Sequence, residues 1–328
     1  MGVGVIERYR DRLPVSSSTP ELTLGEGDTP LIRSRALGPK LGVELHFKFE
    51  GMNPTGSFKD RGMAVAVAKA VESGADGVIC ASTGNTAASA AAYAARANLT
   101  AVVLCPVGAI AAAKLAQSRA VGARVLEVRG SFDQAMESCL ELVGRGTFVL
   151  VNSLNPNRIE GQKTAAFEIR EQLGGRAPDV VALPYGGGGN TVAYAKGWAE
   201  EGVRPRMLSA HAVERAVTIA SAIRIAEPVH LAAVEALVAE GRVEPVPVTD
   251  DDLTRMWRDL AIYEGIFCEP ASAAGLAALE QVELAPGSTV VCVLTGHGLK
   301  DTAAVERSTS EATLIDPTVE SILAVVAG

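Results

Sequence analysis

The sequence predicts an α/β fold of two doubly wound, three-layer αβα domains with mostly parallel sheets. Short apolar runs alternate with longer Ala-rich segments of helical period, as in GVICAS followed by TAASAAAYAARA. Because these runs are apolar at successive positions, the strands are expected to be buried on both faces, as in parallel sheets covered by helices. A second series begins at DVVALP and ends at STVVCVL, which predicts a second unit of the same kind.

Length and composition agree with two packed domains. The chain has 328 residues, and a domain has about 100–200. Hydrophobic residues make up 48% and charged residues 21%, which excludes a disordered chain. A formal net charge of −8 without any basic run argues against a nucleic-acid partner.

Membrane attachment and export are not expected. The opening segment MGVGVIERYRDRLP has no continuous apolar run, and Ile6 stands where a myristoylation signal needs Ser or Thr. No other stretch approaches the roughly 20 apolar residues that span a bilayer. A soluble protein is therefore predicted.

The cysteines are scattered without C-x-x-C spacing, mostly in apolar runs such as VVCVL, so buried reduced thiols are predicted rather than disulfides or a metal site. A cytoplasmic location follows from reduced thiols. The histidines show no ligand spacing either, so no metal is predicted. The residues concerned are Cys80, Cys105, Cys139, Cys268, Cys292, His46, His211, His230 and His297.

Ligands of open α/β sheets bind just past the carboxyl ends of the strands, so the chemistry is expected in the loops there. The segment GMNPTGSFKDRG has turn-forming residues, then Ser57 as a candidate helix N-cap, then Lys59. The positive end of a helix dipole disfavours an ammonium and favours the neutral amine that attacks carbonyl groups. The alternative is a surface lysine paired with Asp60.

The segment CASTGNTAASAAAYAA places small polar residues between an apolar strand and an Ala-rich helix. Hydroxyl and amide groups beside free N–H groups at a helix N-terminus favour an anion, here a carboxylate or phosphate. An N-cap with a turn is the alternative, and it explains Ser82 or Thr83 but not the whole cluster. The cluster is Ser82, Thr83, Gly84, Asn85 and Thr86.

Four consecutive glycines in LPYGGGGNTVAYAKGW lie between a predicted strand and helix. Their N–H groups can approach a ligand phosphate closely. The loop fits neither G-x-G-x-x-G nor G-x-x-x-x-G-K-[ST], which argues against dinucleotide and ATP binding. A flexible linker is the alternative. The residues are Gly186, Gly187, Gly188, Gly189 and Asn190.

Two further loops carry candidate ligands. In VCVLTGHGLKD, Thr295 ends a buried strand, where a hydroxyl can bond a heterocyclic nitrogen without imposing charge. His297 follows as a candidate general base or a surface turn residue. In VNSLNPNRIEGQK, the donors Asn152, Ser153, Asn155 and Arg158 suit a second anion. The alternative is an Asn-Pro turn with Arg158 paired to Glu160.

These motifs, in this order, resemble the threonine synthases, members of the fold-type II pyridoxal-phosphate family (tryptophan synthase β-like). The resemblance covers nearly the whole chain, from GEGDTPLI (Gly25–Ile32) through NPTGSFKDRG, ASTGNT, KLAQ and NPNRIEGQK to EPASAAGLAAL (Glu269–Leu279) and LTGHGLKD. So long a set of ordered motifs is specific for the family and less so for the reaction.

The resemblance implies roles for the candidate residues. Lys59 would bind pyridoxal 5'-phosphate covalently and move protons at the α and β carbons of the substrate. Asn85 would lie beside the ring hydroxyl of the cofactor, Gly186–Asn190 would bind its phosphate, and Thr295 would face its pyridine nitrogen. Ser82, Thr83 and Thr86 would hold the substrate carboxylate. The pocket for a substrate phosphate would consist of Asn152, Ser153, Asn155, Arg158 and Lys114.

The reaction implied is that of a lyase converting O-phosphohomoserine and water to threonine and phosphate. The family further implies a small domain of residues 48–150, a large domain of 1–47 and 151–328, and a homodimer. Two departures weaken the substrate assignment: G-G-G-G-N replaces the usual G-N-A-G-N at Gly187 and Gly188, and the stretch after Ala210 is shorter. A related β-eliminating or β-replacing enzyme, or a non-catalytic binding protein, are the alternatives.

Overall fold

The computed structural model describes residues 3–108, 112–308 and 312–326, with the main chain alone at 112–114. Apolar runs form strands, and these pair into two separate sheets, as the sequence predicts. The strands are β1 (Leu31–Arg33), β2 (Glu44–Phe49), β3 (Gly77–Ala81), β4 (Thr100–Pro106), β5 (Arg124–Val128), β6 (Phe148–Leu150), β7 (Val180–Pro184), β8 (Arg206–Ala212), β9 (Val243–Val248) and β10 (Thr289–Leu294).

The Ala-rich periodic segments form the helices between these strands. They are α1 (Val5–Arg8), α2 (Leu37–Leu41), α3 (Lys59–Glu72), α4 (Asn85–Arg96), α5 (Ala112–Ala120), α6 (Phe132–Gly144), α7 (Pro156–Gln172), α8 (Gly189–Glu200), α9 (Leu231–Ala239), α10 (Asp250–Glu264), α11 (Ala274–Leu279), α12 (Thr302–Ser308) and α13 (Val319–Val326). Short 3-10 turns lie at Arg10–Arg12, Glu50–Met52, Ser221–Ile223, Pro270–Ala273 and Gly298–Asp301. No helix in these ranges has the length and apolar character to cross a bilayer.

The large sheet has the strand order β1-β2-β10-β7-β8-β9, and only the β1–β2 pairing in it is antiparallel. One face packs against α10 and α11 through side chains such as Trp257 and Leu276. The other face packs against α7, α8 and α9 through side chains such as Ile169, Trp198 and Val234. This half of the chain is therefore a three-layer αβα unit.

The small sheet has the order β5-β4-β3-β6 and is parallel throughout. Helices α3 and α4 cover one face and α6 covers the other, which makes a second three-layer unit and confirms the predicted fold class. Strand β3 is buried along its whole length, whereas β5 is largely exposed because it lies at the edge of the sheet. The division into domains at residues 48 and 150 stays a prediction. Lys48 and Phe49 pair within the large sheet.

A buried ion cluster ties the start of α3 to the large sheet. The Arg61 guanidinium donates to Glu50 at 2.7 Å and to Glu168 at 2.6 Å, and Lys48 Nζ lies 2.9 Å from Glu168. All four side chains are fully buried. Because α3 begins at Lys59, this cluster fixes the helix that presents the candidate lysine.

Candidate active site

Lys59 is the first residue of α3 and lies where the two sheets meet. The preceding residues are held against the end of β10, because Phe58 N–H donates to Thr295 O at 3.0 Å and Ser57 forms a bridge with Gly296. Ser57 does not cap the helix through its side chain, so that expectation is wrong. Its Oγ is buried without a partner among the described residues.

The alternative of a surface lysine paired with Asp60 is also wrong. Asp60 instead accepts hydrogen bonds from Thr55 and Ser89. Lys59 is half-buried, and its Nζ lies 4.5 Å from the ring centroid of Phe58. The pKa of Lys59 is lowered to about 7, mainly by burial and also by the positive charge of Arg158, while Glu269 opposes both. A substantial share of the amine is therefore neutral near neutral pH.

The loop Ser82–Thr86 combines a helix cap with unused donors. Ser82 Oγ accepts from the N–H groups of Gly84 and Ala87, both at 3.2 Å, so it bonds the first turn of α4, although the N-cap residue itself is Gly84. The N–H groups of Thr83, Asn85 and Thr86 have no acceptor in the part of the chain that is described. Three free donors at the start of the twelve-residue helix α4 form a site suited to a carboxylate.

The glycine loop, Gly186–Asn190, joins β7 to α8 and is largely buried, so it is not a flexible linker. None of its five N–H groups has an acceptor among the described residues. Both amide atoms of Asn190 are buried and equally unpartnered there. Buried donors without acceptors are costly, so this loop fits an anionic group such as a phosphate.

Two hydroxyl groups meet at the end of β10. Thr295 Oγ1 lies 3.2 Å from Ser272 Oγ, and Ser272 also bonds the N–H and carbonyl of Gly296. Ser272 therefore holds the backbone around Thr295. His297 Nδ1 accepts from Leu299 N–H at 3.2 Å, and its ring stacks on Phe49, which agrees with the turn-residue interpretation.

Arg158 is buried, with 1% of its surface exposed, and it has no carboxylate partner within the described ranges. Its Nη1 donates to Val151 O at 2.8 Å, and its Nε is unpartnered. Glu160 pairs with Lys163 and Lys196 instead, so the predicted alternative of an Arg158–Glu160 pair is wrong. Burial lowers the pKa of Arg158 to about 10, as expected for a guanidinium that lacks a counter-ion.

The neighbouring asparagines hold main-chain groups. Asn152 accepts from Ala81 N–H at 3.0 Å and donates to Ala81 O at 2.8 Å, which fixes the end of β3. Asn155 caps α7 and donates to Leu150 O at 2.8 Å. Ser153 lies between them, half-buried. The side chain of Lys114 lies outside the described residues, and the ligand roles of all four stay predictions.

Sequence reasoning missed Glu269, although the motif EPASAAG contains it. Glu269 is 4% exposed, and its two carboxylate oxygens accept from Asn85 Nδ2. Sequence reasoning also missed Lys300, whose Nζ donates to Thr55 O at 3.0 Å and to Gln117 Oε1 at 2.6 Å. All three contacts join residues more than 180 positions apart, which no local pattern indicates.

Taken together, the residues fit pyridoxal phosphate. A lysine with a lowered pKa suits bonding to its aldehyde, the glycine loop suits its phosphate, and the Thr295 hydroxyl suits its ring nitrogen. The thiols are all buried and unpaired, as predicted. No group of metal ligands occurs among the described residues.

Comparisons with known proteins agree with this chemistry. A family model described as pyridoxal-phosphate dependent enzyme matches residues 22–296. The threonine synthase of Halalkalibacterium halodurans is 48% identical over 318 residues, which are 91% of this chain and 90% of the relative. That of Synechocystis sp. is 48% identical over 319 residues, or 91% and 83%.

Solved structures agree on the fold. The cysteine synthase of Entamoeba histolytica superposes with a TM-score of 0.77 at 20% identity, over 96% of this chain and 99% of that one. The glycine loop, the lysine, the similar sequences and the fold all indicate the same family. The chain belongs to the pyridoxal-phosphate dependent enzymes and, within them, to the threonine synthases.

Proposed function

We propose that the protein converts O-phosphohomoserine and water to threonine and inorganic phosphate. Arg158 carries this proposal: it is a buried cation without a carboxylate partner among the described residues, close enough to Lys59 to lower the pKa of that lysine. Burying an unpaired charge is strongly unfavourable, so such a residue fits a site that receives a phosphate. Relatives that are 40–48% identical and are named threonine synthase support the same reaction.

Different residues of the chain would bind the cofactor and the substrate. Lys59 would hold the cofactor, the glycine loop would bind its phosphate, and Thr295 and Asn85 would orient its ring. When bound, pyridoxal phosphate supplies an electron sink that stabilises negative charge on the substrate carbons. The free N–H groups of Thr83, Asn85 and Thr86 would receive the substrate carboxylate.

Lys59 moves the protons. A pKa of about 7 lets it accept a proton from Cα or Cβ and return one to Cγ at neutral pH. In the overall change the Cγ–O bond breaks and the phosphate leaves with the electron pair. Cβ loses one proton and Cγ gains one, the hydroxyl of a water molecule is added at Cβ, and the remaining proton of that water goes to the phosphate. Arg158 stabilises the charge of the departing phosphate.

The location, oligomeric state, partners and domain division of the protein belong to the same proposal. We infer a cytoplasmic homodimer whose partner is a small phosphorylated amino acid, with a small domain at 48–150. Five buried free thiols support a reducing compartment. A net charge of −8 supports the absence of a nucleic-acid partner.

A second candidate function is β-elimination or β-replacement on another amino acid, such as serine or threonine. It is favoured by one observation, the loss of an amide and a methyl at Gly187 and Gly188 relative to the usual threonine synthase loop. Solved relatives with this fold include a threonine deaminase from Solanum lycopersicum, 23% identical with a TM-score of 0.75. Such a likeness supports only the fold.

The test is a substrate panel assayed with the cofactor-loaded protein. O-phosphohomoserine should release phosphate and threonine in equal amounts, while serine and threonine should yield keto acid at least about a hundredfold more slowly. Keto acid from serine or threonine, without phosphate release from O-phosphohomoserine, would favour the second function.

A further inference from the structure

We propose that His230 is a positioning residue that holds the two anion-binding loops of the site at a fixed separation. The loops are the glycine loop, Gly186–Asn190, and the arginine loop, Asn152–Arg158. The inference rests on the proposed function only for the arginine loop, because the proposed function places the substrate phosphate at that loop. His230 itself immediately precedes α9 and is half-buried.

His230 bonds one carbonyl in each loop. Its backbone N–H donates to Gly187 O at 3.0 Å. Its imidazole Nε2 lies 2.9 Å from Ser153 O, and because a carbonyl oxygen only accepts, Nε2 carries the hydrogen. A single residue therefore joins the two loops, although it follows Ser153 by 77 positions and Gly187 by 43 positions in the sequence.

These bonds fix the direction of one N–H group in each loop. A peptide unit is planar and trans, so holding the carbonyl of Gly187 also holds the N–H of Gly188 on the opposite side. Holding the carbonyl of Ser153 fixes the N–H of Leu154 in the same way. Four consecutive glycines have the largest backbone entropy of any such segment, so an external bond matters most at this loop.

The histidine ring also occupies the space over the loop. A Cβ added at Gly188 would lie 3.1 Å from His230 Cβ, and one added at Gly189 would lie 3.4 Å from the imidazole. Gly187 and Gly188 lack the amide and the methyl that threonine synthases usually have there. The glycine loop consequently has no side chain of its own before Asn190. The imidazole of His230 lies beside this loop and bonds Ser153 O of the arginine loop.

The test compares His230→Ala with His230→Gln, which retains a donor at similar reach. Val229→Ala is the control, since Val229 is the preceding residue and is 48% exposed. Two dissociation constants are measured: pyridoxal phosphate on the apoprotein, and inorganic phosphate on the cofactor-loaded protein by calorimetry. Thermal unfolding of each variant is recorded alongside.

For His230→Ala both dissociation constants should rise about fivefold or more, the equivalent of one hydrogen bond. His230→Gln should recover most of both losses, and Val229→Ala should change neither. The KM for O-phosphohomoserine should rise in parallel while kcat changes less than about threefold.

A lower melting temperature with both constants unchanged would reduce His230 to a structural role and overturn the inference. A change in only one constant would overturn the coupling of the loops, and so would equal losses in the Gln and Ala variants. Failure of the proposed reaction is a separate result, because neither binding measurement requires turnover. A protein that binds both ligands through His230 but leaves O-phosphohomoserine intact would refute the reaction and keep the inference.

Discussion

The side-chain amide of Asn85 donates to both carboxylate oxygens of Glu269, at 3.1 and 3.2 Å. This contact joins the start of α4 on the small sheet to the loop before the Pro270–Ala273 turn on the large sheet. Gly296 makes room for it, because a Cβ there would lie 2.2 Å from Glu269 Oε1. Glu269 also favours the charged form of Lys59. The carboxylate thus links the position of Asn85 to the protonation of the lysine.

Glu269→Gln should lower the pKa of Lys59 further below its value of about 7, because the amide no longer stabilises the ammonium. The measurement is the rate at which the apoprotein takes up pyridoxal phosphate as a function of pH, which follows the neutral amine. The midpoint should move to lower pH. Glu283→Gln, an exposed carboxylate, is the control. A midpoint that stays or rises in Glu269→Gln would contradict the role assigned to this carboxylate.

Arg158→Met should have the opposite effect on the same midpoint. Removing a positive charge that lowers the pKa of Lys59 should move the midpoint to higher pH. The KM for O-phosphohomoserine should rise about ten- to a hundredfold, as expected for losing hydrogen bonds to a charged group. The melting temperature should change little, because a buried cation without a counter-ion contributes little to stability. A large fall in melting temperature with an unchanged KM would assign Arg158 a structural role instead.

Gly188→Ala should weaken cofactor binding, whereas Gly187→Ala should not. Gly188 has φ +85°, and an added Cβ would lie 3.1 Å from both His230 Cβ and Val234 Cγ2. The left-handed conformation alone costs an alanine about 1–2 kcal/mol, so the dissociation constant of pyridoxal phosphate should rise about tenfold. At Gly187 the added Cβ meets only Ile225 Cδ1, at 3.6 Å. Equal affinities for the two variants would contradict this description of the loop.

Arg61→Met should reduce the free energy of unfolding by about 3–5 kcal/mol, because it leaves the buried carboxylates of Glu50 and Glu168 without their guanidinium. Arg255→Met is the matched control. Arg255 also pairs with two carboxylates, but its side chain is 47% exposed. Arg255→Met should therefore lower the free energy of unfolding by no more than about 1 kcal/mol. Denaturant unfolding at neutral pH measures both.

The cost of Arg61→Met should shrink in acid. Burial alone would raise the pKa values of Glu50 and Glu168, but Arg61 outweighs it and both are lowered. Carboxyl groups with lowered folded pKa values contribute stability above their unfolded value of about 4.3 and lose it as the pH falls further. The difference between native protein and variant should therefore be largest at neutral pH and decline below about pH 4. A constant difference would mean that the ion cluster does not act through these charges.

The sequence predicted the sheets and the loops that form the site, because both follow from local patterns. Buried strands are continuous apolar runs, and parallel strands bring the loops after their carboxyl ends to one edge. The exposure of β5 was not predictable in this way, since ARVLEV reads as a buried strand until its neighbours are known. The order of strands in a sheet decides which one lies at the edge.

Contacts between distant residues account for most of what the sequence missed. Asn85 with Glu269 and His230 with Ser153 join segments that no periodicity relates. One error could have been avoided. Arg158 and Glu160 are two positions apart on a helix, so their side chains point to different faces and do not pair, whereas Glu160 and Lys163 are three apart and do.

The most direct test of the proposed reaction is to run it in water enriched in oxygen-18 and analyse both products by mass. We expect the label in the hydroxyl of threonine and none in the phosphate, because the Cγ–O bond breaks and water adds at Cβ. Lys59→Ala should lose at least about a hundredfold in rate for both products. Label in the phosphate, with homoserine as the other product, would mean cleavage of the P–O bond and would contradict the assignment of this site as a threonine-forming lyase.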